Sequence, residues 1–204
     1  MTDALSVLRR GAYGILGREL GDEETVQFHK YLNMLMKWQE TQRLLGSGDP
    51  EWIVQKIFLD SLLFLHVLPP SAQGILDVGS GAGVPGIPLK IVKPHLQLTM
   101  VESRRRRASF LSSTVRDIPL LNTLVIYDRL EAVASELTHK FDVVVARCAG
   151  DATSLLSLSV NFLRPGGMVI VSGPPDEYAL PLGRWVTVPG VGSSETRRFA
   201  VLQN

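Results

Sequence analysis

Residues 75–90 read "ILDVGSGAGVPGIPLK", and the fold turns on this stretch. A short apolar run ends at Asp77-Val78-Gly79 and gives way to glycines at 79, 81, 83 and 86, set among small residues. Glycine carries no Cβ and tolerates positive φ, so such a loop turns sharply and lets a ligand approach the backbone. The next apolar run, "LQLTMVES" (96–103), closes on Glu102. A carboxylate at the end of that neighbouring strand can accept both hydroxyl hydrogens of a ribose. Strand, glycine loop, helix, strand and acid in this order predict a nucleoside-binding unit.

The rest of the chain extends that unit in both directions. "TLVIYD" (123–128), "FDVVVAR" (141–147) and "GMVIVSG" (167–173) are further apolar runs, separated by helix-length segments at 104–116 and 151–163. Continuous apolar strands alternating with helices indicate a parallel sheet covered on both faces. "RPGG" (164–167) reads as a helix stop feeding a strand. "RWVTVPG" and "TRRFAVLQ", joined by "GVGSSE", read as an antiparallel pair at the sheet edge. Upstream, residues 1–70 carry no strand pattern. Phe28, Tyr31, Leu32, Leu35, Trp38 and Leu45 recur at helical spacing. "GSGDP" (46–50) ends that helix, and Asp49-Pro50 opens another that runs to about Leu68. The expected fold class is α/β: a doubly wound, Rossmann-like sheet of residues 71–204 with an N-terminal helical cap of residues 1–70, in one integrated fold.

Bulk properties narrow the function. The chain has 204 residues, 45% of them hydrophobic, which suffices for one domain with a substantial core. A formal net charge of +1 sets up no global field for nucleic acid, yet "SRRRRAS" (103–109) concentrates four arginines. One cysteine, Cys148, excludes an intrachain disulfide and reads as a small buried residue rather than a nucleophile. The apolar runs are too short to span a bilayer, so a cytoplasmic protein without membrane contact is expected. The four histidines, at 29, 66, 95 and 139, lack metal-ligand spacing, and no metal is expected. Trp38 and Trp52 read as core residues of the cap.

Two cofactors compete for the glycine loop. "GAGVPG" (81–86) satisfies G-x-G-x-x-G, and with Glu102 it is compatible with NAD. Asp77, however, puts an anion beside the loop, which repels a pyrophosphate and suits a cationic ligand. Pro85 and Pro88 also interrupt the entry that aims helix amides at a phosphate. S-adenosylmethionine carries a ribose, an adenine, an ammonium and a sulfonium but no phosphate, and D-x-G-x-G-x-G fits it better.

Over nearly its whole length the chain resembles the glucose-inhibited division protein B family, bacterial small-subunit ribosomal RNA methyltransferases acting on guanine N7. The likeness rests on "YLNMLMKWQE" (31–40), "DPEWIVQKIFLDSL" (49–62) with its "FLDS", "LDVGSGAGVPGIPLKIVKPHLQLTMVES" (76–103), "RRRRASFL" (104–111), "RLE" (129–131) and "ARCA" (146–149). The resemblance implies that Gly79 and Val84 line the donor site, that Glu102 takes the ribose, and that Leu130 and Glu131 flank the adenine. Arg147 is implied at the mouth of the site, acting by positioning rather than as an acid or base. With the residues read directly, the expected donor set is Asp77, Gly79, Gly81, Gly83, Val84, Glu102, Ser103, Leu130, Glu131 and Arg147. The expected RNA contacts are Arg104, Arg105, Arg106, Arg107 and Arg147, with Arg197 and Arg198 as further candidates. The expected partner is small-subunit ribosomal RNA or the ribosomal subunit, met by a monomer.

The sequence departs from the family pattern in three places, all outside the glycine loop itself. "RLLGSGDP" stands where the family has asparagine-leucine-threonine before its Asp-Pro. Ile57 replaces a histidine, and the fifth strand ends "VSGPP" instead of leucine-lysine-glycine. Two other functions therefore stay in view: an inactive donor- and RNA-binding assembly protein, and an NAD-dependent oxidoreductase.

Overall fold

A computed structural model describes residues 2–147, 151–173, 179–192 and 194–204. Cys148 and the end of "VSGPP" lie outside the described residues. Residues 2–66 are mostly helical. They comprise α1 (Thr2–Leu16), α2 (Asp22–Gln42) and a continuous run made of α3 (Pro50–Ile53), a π-helical turn (Val54–Leu59), α4 (Asp60–Leu62) and a 3-10 turn (Leu63–His66). The helix expected to reach Leu45 stops at Gln42, where Arg43 takes a left-handed conformation at φ 45°. Asp49 caps the next run by accepting from the Trp52 N–H at 2.7 Å, with Pro50 in the first position, as expected.

The sheet has seven strands in the order β3-β2-β1-β4-β5-β7-β6. These are β1 (Gly74–Val78), β2 (Gln97–Val101), β3 (Thr123–Ile126), β4 (Phe141–Ala146), β5 (Leu163–Ser172), β6 (Arg184–Pro189) and β7 (Thr196–Gln203). The first five are parallel; β7 runs antiparallel to β5, and β6 antiparallel to β7 at the edge. Between the strands lie α5 (Gly86–Val92), α6 (Arg105–Asp117), α7 (Ala134–Leu137) and α8 (Ala152–Ser159). The two terminal strands thus form the expected edge pair. "RPGG" is not a helix stop before a strand: β5 already begins at Leu163. The four residues form a bulge, since Leu163 pairs with Phe141 and Met168 with Val143. A Cβ on Gly167 would lie 2.9 Å from Arg164 O, so the bulge needs glycine there.

Side-chain alternation sorts the core into two layers. Ile75, Leu98, Met100, Val143 and Val145 face a cluster shared with α5, α6 and the cap, including Phe28, Leu32, Phe58 and Phe64. Leu76, Val78, Val101, Val144 and Ala146 face the other layer, with Leu156 and Phe162. The cap therefore has no core apart from the sheet's. Phe64 meets Phe199 of β7 edge-on at 4.6 Å, and Trp38 meets Phe110 of α6 edge-on at 5.5 Å. Tyr31 stacks on Phe58 at 5.0 Å, and its buried hydroxyl donates to Ala82 O at 2.5 Å. Desolvation holds that phenol well above its ordinary pKa, so it remains a donor.

Tyr31→Phe leaves the Ala82 carbonyl without this partner. Urea unfolding is expected to show a loss of about 1–3 kcal/mol, the cost of stranding a buried polar group. An unchanged midpoint would mean that the cap does not restrain the loop through this bond.

Candidate functional site

The carboxyl ends of β1 and β2 carry the glycine loop and its acid, where a doubly wound sheet offers a ligand crevice. Gly79, Gly81 and Gly83 adopt φ of 67°, 57° and 90°, the conformations that favoured glycine at these positions. Gly83 makes no part of the cavity wall; a Cβ there would lie 2.3 Å from Ile87 Cδ1 and 3.1 Å from Leu111 Cδ2. It lets the loop pack onto α5 and α6.

The loop is held from the sheet side by two carboxylates. Glu102 is buried; its Oε2 accepts from the Gly81 N–H at 2.9 Å and its Oε1 from the Arg104 N–H at 2.8 Å. Each oxygen keeps a second lone pair for a ribose hydroxyl. Asp77 lies fully buried, and its Oδ2 accepts from the Gly86 N–H at 2.9 Å. It does not line the cavity. Burial pushes its carboxyl up to about 7, opposed by the Gly86 N–H and Ser80, raised further by Glu102 and lowered by Arg147. The expectation that Asp77 shows an anion to the ligand is corrected on this point: it is a partly neutral strut beneath the loop. Glu102 is the acid at the cavity.

A cavity of about 640 Å³ lies at the loop, lined by Gly79, Ser80, Gly81, Ala82 and Val84, by Glu102 and Ser103, and by Arg104, Arg107 and Arg147. Gly79 and Ser103 also border an adjoining cleft of about 370 Å³ that contains Leu130 and Glu131. Two joined spaces of this size suit a nucleoside with an attached chain. Another cleft, about 610 Å³ and lined in part by Arg10, Lys56, His66 and Glu195, shares no residue with them and lies away from the strand ends.

Arg147 is placed differently from expectation. Its side chain is only 12% exposed; the guanidinium contacts Asp60 at 3.1 Å and donates from Nη2 to Lys56 O. Arg197 Nε contacts the other oxygen of Asp60 at 3.1 Å, while its Nη1 and Nη2 donate to Gly173 O and Ser172 Oγ. Both arginines are therefore held mainly by partners inside the protein. Among the described residues Arg147 Nη1 is buried without a hydrogen-bond partner, at a side chain that lines the cavity. The arginine run divides. Arg104 and Arg107 border the cavity, Arg105 borders an outer groove with Arg116 and Tyr127, and Arg106 is exposed.

Several site residues escaped sequence reasoning. Asp60 stood within the quoted "FLDS", directly after a π-helical turn of the kind often found at functional sites. Trp52 packs against the cap core, as expected, and also lines the cavity, which was not foreseen. Two of the three family departures also prove to be part of the site: Leu44, Leu45, Gly46 and Ile57 all line the cavity. Among the described residues there is no group of three or more His, Cys, Asp or Glu that could hold a metal.

This sheet order with one reversed strand, and its glycine-loop cavity, is the architecture of Rossmann-like methyltransferases. Solved structures with this fold include a hypothetical protein of Thermus thermophilus (21% identical, covering 72% of this chain and 85% of that one, TM-score 0.56). Another is the C-terminal domain of a precorrin-6Y C5,15-methyltransferase of Rhodobacter capsulatus (14% identical, covering 69% and 85%, TM-score 0.51). The sequence model described as rRNA small subunit methyltransferase G matches residues 24–173, and the chain belongs to that family. Curated relatives named ribosomal RNA small subunit methyltransferase G include those of Desulforamulus reducens, 32% identical over 78% of this chain and 67% of its own length. The Sorangium cellulosum relative is 38% identical over 76% and 67%.

The raised Asp77 carboxyl makes a signed prediction. The folded chain holds this proton up to about pH 7, whereas the unfolded chain releases it near the ordinary value of 3.8. The stability contributed by Asp77 is therefore full below about pH 4 and is lost as pH rises to about 7, by at most about 4 kcal/mol. Asp77→Asn should show a stability difference from the wild type that grows across this window and is constant above it. Urea unfolding at stepped pH measures this, and a difference independent of pH would contradict the placement.

Proposed function

We propose that the chain binds S-adenosylmethionine in the joined cavities and methylates N7 of a guanine in small-subunit ribosomal RNA. The observation that carries this reading is the glycine loop facing Glu102 at the strand ends, in a chain of the rRNA small subunit methyltransferase G family. The buried Arg147 Nη1, without a partner among the described residues, and the second lone pairs of Glu102 fit a ligand with a carboxylate at one end and a ribose in its middle. Bound there, S-adenosylmethionine supplies an electrophilic methyl whose transfer leaves a neutral thioether and places the positive charge on the purine.

The protein's residues have a limited task. Guanine N7 has a lone pair and no proton, so no residue must act as a general base. Glu102 holds the ribose, Gly79 to Ala82 and Val84 supply a close backbone wall, and Leu130 and Glu131 border the adenine. Arg147, fixed by Asp60, orients the donor's carboxylate end. Alignment of N7 with the methyl carbon can supply as much as about 7–11 kcal/mol. Arg104 to Arg107 neutralise RNA phosphates near the opening. No described helix is long and apolar enough to cross a membrane, and an RNA substrate of this kind belongs to the cytoplasm. One chain contributes every residue named, so a monomer suffices.

Transfer of labelled methyl from S-adenosylmethionine to unmodified small-subunit RNA, naked and assembled, tests the reading. Label is expected on guanine N7. Donor binding without transfer to any RNA would favour an assembly protein, and NAD binding in its place would favour an oxidoreductase. Glu102→Gln is expected to weaken donor binding roughly 10- to 100-fold by calorimetry, the cost of losing a charge-assisted buried acceptor. Arg105→Ala with Arg106→Ala should lower the slope of log K against log salt by roughly 1.5–2. An unchanged slope would make those two arginines an ordinary solvated helix face.

A further inference from the structure

The cap contributes one wall of the cavity, and that wall differs in chemistry from the rest. Leu44, Leu45, Trp52 and Ile57 bring apolar surface and an indole to it, with Gly46 between them. The cations bordering the same cavity, Arg104, Arg107 and Arg147, come from the sheet side. An uncharged aromatic wall facing the same space as a cationic one suits a flat ring joined to a phosphate.

The wall is held in place by dedicated bonds. The side-chain amide of Gln39 engages both backbone groups of Leu45: Nε2 donates to Leu45 O and Oε1 accepts from Leu45 N–H, each at 2.8 Å. Ser47 Oγ accepts from the Asp49 N–H at 3.1 Å, and Asp49 in turn accepts from the Trp52 N–H at 2.7 Å. A Cβ on Gly46 would stand 3.6 Å from the Trp52 ring, so the loop backbone rests against the indole there. Trp52 remains half-buried, and among the described residues no other aromatic ring stacks on it. A large apolar side chain held this firmly with part of its surface open is preorganised for a ligand.

Taking the proposed reaction as given, we infer that Trp52, backed by Leu44, Leu45 and Ile57, is the stacking face for the target purine. A nucleobase stacks well on an aromatic side chain. Methylation at N7 also turns a neutral guanine into a cation, and indole is the side chain that attracts a cation most strongly. The wall therefore binds the purine more tightly as positive charge develops on it. Stabilisation that grows towards the transition state raises turnover and not affinity alone. The same attraction makes the methylated nucleotide a better ligand than its unmethylated parent.

Trp52→Leu and Trp52→Phe test this against the wild type, with donor and RNA both saturating. Single-turnover transfer should fall about tenfold or more in the leucine variant and less in the phenylalanine variant, which keeps a weaker π face. S-adenosylhomocysteine should bind all three chains within about twofold. With S-adenosylhomocysteine bound, at mildly acidic pH, 7-methylguanosine monophosphate should bind the wild type more tightly than guanosine monophosphate, and Trp52→Leu should abolish the preference. Transfer at the wild-type rate by Trp52→Leu would overturn the inference. So would a loss of S-adenosylhomocysteine binding in that variant, which would assign the wall to the donor. A wild-type chain that binds donor but methylates no guanine N7 would instead sink the proposed function itself, and that result is read without any Trp52 variant.

Discussion

The glycine loop at residues 79–85 is the constraint on which the site depends, because it must be both unencumbered and fixed. Glycines at positive φ remove side chains from its surface but cost conformational entropy. Three polar tethers restore the order. Glu102 takes the Gly81 N–H, Asp77 takes the Gly86 N–H, and the Tyr31 hydroxyl reaches Ala82 O from the cap. Each tether comes from a different element: the end of β2, the interior of β1, and α2. Sheet and cap thus meet at the loop, and the cap's buried residues share one cluster with α5 and α6.

A second junction stands on the other side of the cavity. Asp60 holds Arg147 from the end of β4 and Arg197 from β7 with its two oxygens. The π-helical turn Val54–Leu59 precedes it, and Lys56, within that turn, gives its carbonyl to Arg147. Arg147 Nη1 has no partner among the described residues, which favours a carboxylate-bearing ligand at that point of the wall.

Much of the fold was legible because the central strands are short and mostly apolar. β1 is buried at every position, and the glycine-rich turn after it has few structural alternatives. The terminal edge pair was legible from alternation. The bulge at 164–167 was not, because Pro and Gly mark a helix stop and a strand irregularity equally well. The residues beside the loop that line the cavity were named from the glycine spacing and the family resemblance together: Gly79, Gly81, Val84, Glu102 and Ser103 all meet in one cavity. Long-range pairings were not. Nothing in the spacing of Asp60, Arg147 and Arg197 shows that they converge. Asp77 was placed in the site by its position next to the glycines, but strand alternation turns it under the loop, where desolvation outweighs its charge. Trp52 was read as core, and it does pack on the cap core; its second place, on the cavity wall, shows only once the loop at 43–48 is packed beside it.

The most direct test of the account is a crystal structure with S-adenosylhomocysteine bound. The account predicts the ribose hydroxyls on Glu102, the adenine beside Leu130 and Glu131, the homocysteine carboxylate at Arg147 and an unfilled space against Trp52. Ligand seated away from Glu102, or in the cleft between α1 and the β6–β7 hairpin, would contradict it.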